Sequence, residues 1–320
     1  MENRIVVTGG AGFIGCNLVA ALNSRGIDNI VIVDRLGCGE KWRNLAHLRF
    51  EDFIDKSDFR ELIMSDGIDG IDAVIHLGAC SSTTEKDADY LIDNNYHYTR
   101  DLCLWCMTKS VRFIYASSAA TYGAGECGYS DSDLNTLNLK PLNMYGYSKH
   151  MFDLWAHKNG LLHSIAGIKY FNVYGPHEEH KGDMRSVVYK AFHQIEETGC
   201  VKLFKSYRDD YRDGEQVRDF VYVKDAVDVT LYFYDNPGVS GLFNCGSGTA
   251  RTWVDLAKAV FHSVGREPNI EFTEMPPALL EKYQYHTEAE IMKLRAAGYS
   301  ADFTTLENGV EDYVRRCLNS

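Results

Sequence analysis

Residues 4–8, Arg-Ile-Val-Val-Thr, form a short β-branched run that breaks into Gly9-Gly10-Ala11-Gly12-Phe13-Ile14-Gly15. Phe13, Ile14, Leu18, Val19 and Leu22 then recur at helical spacing. A strand, a glycine turn and an amphipathic helix in that order admit few folds. The glycine pattern is G-x-x-G-x-x-G. Gly9 can make the tight turn, Gly12 lets the backbone approach a pyrophosphate, and Gly15 permits close packing of helix on strand. The helix N-terminus adds amide donors and the positive end of a dipole for the phosphates.

The second strand, Ile30-Val31-Ile32-Val33, ends at Asp34. An acid there would hold the adenosine ribose hydroxyls, a preference for NAD. Arg35 comes next and Lys41 lies in the following loop. Either can pair with a 2′-phosphate, a preference for NADP, and a solvated loop accounts for both equally well. These residues leave the choice between NAD and NADP open. Residues 47–55 suggest a third strand leading to Asp52, Asp55 and Lys56. Ile71 to Leu77 reads as a buried strand ending in Gly78-Ala79-Cys80-Ser81-Ser82, small residues where the chain can pass close to a cofactor. A helix of about 20 residues carrying Asn94 and Asn95 follows, then the strand Val111 to Ala116. Strands alternating with helices at this spacing predict an α/β fold with a doubly wound, Rossmann-type parallel sheet.

The fifth strand runs into Ser117-Ser118-Ala119-Ala120-Thr121. Ligands of open α/β sheets sit beyond the carboxyl ends of strands, so Ser118 falls where a substrate hydroxyl or carbonyl would be held. Tyr145-Gly-Tyr-Ser-Lys149 places a phenol and an ammonium one helical turn apart on one face. A free Tyr titrates near about 10. A neighbouring ammonium, together with the positive ring of an oxidised nicotinamide, favours the phenolate and is expected to bring Tyr145 down into the range of a useful base. Alone the pattern is weak; behind a dinucleotide turn it gains weight.

A strand at 163–171 comes next, and the composition changes after Pro176. Long polar stretches and a charged loop from Tyr207 to Glu215, expected to be mobile, separate brief strands at about 201–204, 218–223 and 241–245. Helices are expected near 184–197, 224–235, 252–264, 286–296 and 304–318. Residues 1–174 therefore read as a dinucleotide-binding domain to which about 215–250 return. Residues 175–320 read mainly as a smaller α/β substrate-binding domain.

Charge and composition exclude other classes. A net charge of −12 argues against nucleic acid or an anionic membrane as partner. No apolar run approaches the roughly 18 residues of a membrane span, and the first residues lack the apolar core of a signal peptide. The nine cysteines lack a framework spacing, which fits a reducing cytoplasm. Cys103-Leu-Trp-Cys106 lies inside a helical stretch and reads as packing. The 11 histidines show no metal-ligand spacing, so no metal is expected.

Together these motifs resemble the extended short-chain dehydrogenase/reductase superfamily. Within it, Gly78 to Glu85, Asp93-Asn-Asn-Tyr96, Ala116 to Gly123, Pro141-Leu-Asn143, Lys169 to Pro176, His180-Lys-Gly182, Arg218 to Val223 and Leu294 to Tyr299 resemble the ADP-L-glycero-D-manno-heptose 6-epimerases over nearly the whole chain. The resemblance implies a cytoplasmic homo-oligomer, a pentamer, which inverts C6″ of an ADP-heptose with tightly held NADP for lipopolysaccharide inner-core synthesis. It implies Tyr145 as the acid/base for one epimer and Lys181 for the other. Lys149 would lower the Tyr145 pKa and hold the nicotinamide ribose, and Ser118 would polarise the reacting oxygen. The cofactor positions it implies are Gly9, Gly12, Phe13, Ile14, Gly15, Asp34, Arg35, Lys41, Lys56, Leu77, Gly78, Ala79, Cys80, Ser81, Asn94, Lys149, Val173 and Lys181. The substrate positions are Asn172, Asp183, Lys190, Phe204, Lys205, Ser206, Tyr207, Arg218 and Tyr283. Relatives often carry Asn where Arg35 stands, Glu at Leu77 and Ser at Asp183. The alternative is a UDP-hexose 4-epimerase or a related dehydratase. Ser118-Ala119-Ala120-Thr121 lacks the Asp-Glu pair that elimination by a dehydratase would use.

Overall fold

The computed structural model describes residues 4–280 and 283–318. Its strands are β1 (Ile5–Thr8), β2 (Ile30–Asp34), β3 (Asp52–Asp55), β4 (Ala73–His76), β5 (Arg112–Ser118), β6 (Ala166–Tyr170), β7 (Asn172–Tyr174), β8 (Val201–Phe204), β9 (Val217–Tyr222), β10 (Gly241–Cys245), β11 (Ala250–Thr252) and β12 (Ile270–Thr273). Seven of them make one parallel sheet in the order β3-β2-β1-β4-β5-β6-β10. The chain winds outward from β1 in both directions, so the β1/β4 boundary is the switch point, where such sheets open a ligand crevice.

Strand alternation assigns each face its own core. Ile5, Val7, Ile32, Ile75, Ile114 and Ile168 point to the face covered by the helices Phe13–Ser24 and Val223–Asp235. Val6, Val31, Val33, Val74 and Phe113 point to the other, under Lys56–Met64, Tyr98–Lys109 and Met144–Lys158. Both faces are buried, which is why these strands read as continuous apolar runs. Cys103 and Cys106 lie in the second core at 0% exposure, and burial pushes both thiols up, as packing residues require.

A third core joins the helices Val187–Thr198, Trp253–Ser263 and Leu306–Tyr313 to the small sheets β7-β9-β11 and β8-β12. Three of these strands, β7, β11 and β12, of three or four residues each, are missed by the sequence reading. The expected helix at 286–296 shrinks to Met292–Ala296. Its first part runs alongside β9 instead, held by the Val217 amide to the Tyr285 carbonyl and by the Thr287 amide to the Val217 carbonyl. The helix carrying Asn94 and Asn95 is also not uniform. It contains a π turn at Ile92–His97 between Ala88–Leu91 and Tyr98–Lys109. Among the described residues no helix is long and apolar enough to cross a membrane.

Candidate active site

The switch point opens into a cavity of about 500 Å³. One wall is the glycine turn. Gly9 sits at φ +71°, and a Cβ there would lie 2.7 Å from the Gly78 amide nitrogen. A Cβ on Gly15 would lie 2.1 Å from the Gly9 carbonyl oxygen. Only glycine lets these three backbone segments meet. The helix Phe13–Ser24 starts at Gly12 with no side-chain cap and no acid in its first turn, so its amides and dipole face the cavity unopposed. This cradle fits a dinucleotide pyrophosphate.

Asp34 is buried beside the turn. Its carboxylate accepts from the Ala11 amide at 2.9 Å and the Arg35 amide at 2.7 Å, and forms an ion pair with Lys41. Arg35, Lys41 and Lys56 line an adjoining cavity of about 220 Å³ with Asp34 and Asn94. The Lys56 ammonium donates to Asn94 Oδ1 at 2.5 Å, and burial, with repulsion from Arg35, lowers its pKa.

Tyr145 and Lys149 come from the helix Met144–Lys158. Asn143 caps that helix through its side chain, which accepts from the Gly146 amide at 2.8 Å. Gly146 sets how close the helix lies: a Cβ there would come 2.6 Å from the Ala120 carbonyl oxygen. The phenol is thereby pressed onto the turn after β5, where the Ser118 hydroxyl hydrogen-bonds Tyr145 and also accepts from the Ala120 amide at 3.1 Å.

The protein's own groups do not by themselves produce the lowering expected for Tyr145 beside an oxidised nicotinamide. Burial raises its pKa, with the Ser118 hydrogen bond opposing. The Lys149 ammonium donates to the Ala116 carbonyl at 2.9 Å. Burial lowers Lys149 to about 8, with Asp153 opposing. Lys181 lines the same cavity from a separate loop, its ammonium 4.9 Å from the centre of the Phe13 ring. Burial lowers the Lys181 pKa, Glu178 opposes and Lys190 assists.

The cavity therefore gathers Gly9, Gly12, Phe13, Ile14, Gly15, Asp34, Lys41, Leu77, Gly78, Ala79, Cys80, Ser81, Ser118, Tyr145, Lys149, Val173 and Lys181. Arg35, Lys56 and Asn94 line the adjoining one. The expected substrate residues line neither. Arg218 is buried between the rings of Trp253 and Tyr283, at 5.4 and 5.1 Å, and Tyr283 Oη accepts from Trp253 Nε1 at 2.9 Å. Asn172 Oδ1 accepts from Thr287 at 3.5 Å. Lys190 donates to the Asp183 carbonyl at 2.6 Å. At the end of β8, beyond Phe204, Lys205 pairs with Glu274 at 2.6 Å, Tyr207 donates to the same carboxylate, and the Ser206 amide donates to Asp213 at 2.8 Å.

Sequence reasoning missed His180 and Met184 in the larger cavity and Tyr90 and Tyr98 in the smaller. The His180–Lys181 adjacency was the available signal. Burial, followed by Lys41 and Lys181, lowers His180 to about 4, so its ring is neutral.

Residues 5–246 match the NAD dependent epimerase/dehydratase family. The ADP-L-glycero-D-manno-heptose-6-epimerase of Nitratidesulfovibrio vulgaris strain Hildenborough is 55% identical over 98% of this chain and 97% of that protein. The Fusobacterium nucleatum protein of the same name is 49% identical, with 98% of each covered. The crystal structure of the Helicobacter pylori ADP-L-glycero-D-manno-heptose-6-epimerase superposes with a TM-score of 0.79 at 28% identity, covering 98% of this chain and 96% of that one. With a dinucleotide cradle and a Tyr–Lys helix in one cavity, the chain belongs to the NAD dependent epimerase/dehydratase family, among the ADP-L-glycero-D-manno-heptose-6-epimerases.

Proposed function

We propose that this enzyme interconverts ADP-D-glycero-D-manno-heptose and ADP-L-glycero-D-manno-heptose at C6″, supplying heptose for the lipopolysaccharide inner core. The observation that carries the reading is the presence of two proton-transfer groups, Tyr145 and Lys181, from separate elements on one cavity. An epimerase needs this, since one such group cannot serve both faces of a carbon equally. A bound nicotinamide would supply reversible hydride acceptance.

Every other role falls to the chain. Tyr145 exchanges the proton of the C6″ hydroxyl for one epimer while Ser118 donates a hydrogen bond to the reacting oxygen. Lys181, its pKa lowered by burial, exchanges it for the other. Lys149 holds the nicotinamide ribose, and its charge favours the phenolate once Tyr145 loses its proton.

The cofactor we infer is NADP. Asp34 is already neutralised by Lys41, and Arg35 and Lys56 add two more cations to the cavity where a 2′-phosphate would lie. Residues 1–174, with about 215–250 returning, would hold the dinucleotide. Residues 175–320 would hold most of the sugar nucleotide. The Arg218–Tyr283 cluster, Asn172, Asp183, Lys190 and the Phe204–Tyr207 segment are the residues proposed for that task, with Arg218 on the diphosphate. The family resemblance adds a cytoplasmic homo-oligomer, a pentamer.

The test is single-epimer turnover by Tyr145→Phe and Lys181→Met with bound dinucleotide quantified. Each variant is expected to keep its dinucleotide and lose about 10²–10⁴-fold in turnover. Undiminished turnover by both would remove these roles.

A further inference from the structure

Behind the glycine turn a buried polar chain crosses the switch point. The Gly78 amide donates to Thr8 Oγ1 at 3.2 Å, and Thr8 Oγ1 lies 2.6 Å from His76 Nδ1. His76 Nε2 lies 2.8 Å from Thr99 Oγ1, which donates to the Asn95 carbonyl at 2.6 Å.

The ends of this chain fix its protons. A carbonyl only accepts, so the single Thr99 proton is committed to Asn95 and the Thr99 oxygen accepts from His76 Nε2–H. A neutral ring protonated there leaves Nδ1 bare, and Nδ1 accepts the Thr8 hydroxyl proton. Thr8 in turn accepts the Gly78 amide. Every donor points the same way, from Gly78 towards Asn95, and none is left over. Thr8, His76, Asn95 and Thr99 are each at most 2% exposed. The Tyr98 and Phe113 rings stack on the imidazole at 5.8 and 6.1 Å. Burial, with the Lys149 charge adding to it, keeps the ring neutral.

The far end reaches the catalytic helix. The Asn95 side chain accepts from the Cys80 amide and donates to the Cys80 carbonyl, both at 2.9 Å, and donates to Ser148 Oγ at 3.0 Å. Ser148 Oγ donates to the Tyr145 carbonyl at 2.7 Å. One connected set of bonds thus joins the phosphate turn, the Gly78–Ser82 loop and the helix of Tyr145.

We propose that His76, as its Nε2–H tautomer, is a positioning residue that holds these three walls in register and thereby sets dinucleotide affinity. This rests on the reading of the cavity as a dinucleotide site. The Gly9 and Gly78 backbones touch, so a small slip between β1 and β4 changes the width of the crevice.

Two measurements test it. In ¹⁵N-histidine-labelled protein the His76 ring is expected to show a protonated Nε2 and a bare Nδ1, unchanged from pH 5.5 to 8.5. The opposite tautomer or a charged ring overturns the proposal. Titration of NADP and NAD into wild type, Thr99→Val and Thr99→Ser, each first freed of the dinucleotide it carries, is expected to show Val about tenfold weaker and Ser within about twofold of wild type, since only Val orphans the imidazole and the carbonyl. Equal affinities of Val and Ser overturn the proposal and leave the dinucleotide reading standing. A wild type that binds neither nucleotide overturns both.

Discussion

Replacing Lys169 with Met is expected to be among the most damaging single changes in the large sheet. Lys169 and Asp153 form an ion pair at 2.8 Å with both side chains at 0% exposure. Lys169 also donates to Thr121 at 2.7 Å, and its ammonium lies 5.1 Å from the Tyr122 ring centre. Asp153 accepts from Ser117 at 2.7 Å and Tyr115 at 3.0 Å. Met keeps much of the stem and its packing but strands the carboxylate with two hydroxyl donors and no directly bonded cation, the Lys149 charge acting on it only through space. Breaking a buried pair in this way costs about 3–5 kcal/mol. By contrast Arg25→Ala, at the exposed pair with Asp235, is expected to cost less than about 1 kcal/mol. Urea unfolding at pH 7 measures both. The loss has a pH signature. An unpaired buried carboxyl has its folded pKa raised above the unfolded value of about 3.9. The folded variant then binds more protons than the unfolded chain between those values, so its deficit shrinks as pH falls towards 5. Asp153→Asn combined with Lys169→Met removes the stranded charge and is expected to recover most of the stability. A Lys169→Met cost under about 1 kcal/mol, or a deficit independent of pH, would refute the reasoning.

Gly15→Ala places a Cβ 2.1 Å from the Gly9 carbonyl oxygen and 2.8 Å from the Gly10 Cα, so the phosphate turn must move. Dinucleotide affinity is expected to fall at least about 100-fold, whereas Gly39→Ala, with nothing within 4 Å of its Cβ, should leave it unchanged in the same titration. Lys149, lowered to about 8, makes binding pH-dependent. Affinity for the anionic dinucleotide should hold below pH 8 and fall as pH rises through it, approaching tenfold per unit, with Lys149→Met flat by calorimetry. Stability moves the other way. The folded pKa lies below the unfolded value of about 10.4, so the cost of burying this ammonium fades as pH rises from 8 towards 10.4.

The glycine turn, the alternating strands and the Tyr145–Lys149 turn were legible because each obeys a short-range rule of period or spacing. Two residues so read turned out to have more than one partner. Ser118 caps the turn after β5 and bonds Tyr145, and Lys41 pairs with Asp34 and donates to the Arg35 carbonyl at 3.3 Å. What stayed hidden depends on contacts distant in sequence. β7 is a strand paired to β9, and the π turn carries Asn95, whose side chain bonds Cys80 and Ser148. Spacing places Lys149 one turn from Tyr145 but does not say that its ammonium turns to Ala116.

The most direct test is to incubate purified protein, with no added cofactor, with ADP-D-glycero-D-manno-heptose and follow C6″ by NMR, then release and identify the bound dinucleotide. A mixture of the two C6″ epimers is expected, with NADP as the released nucleotide. An unchanged ADP-heptose, with UDP-galactose converted instead, would contradict the substrate and leave the fold and the Tyr145–Lys149 site in place.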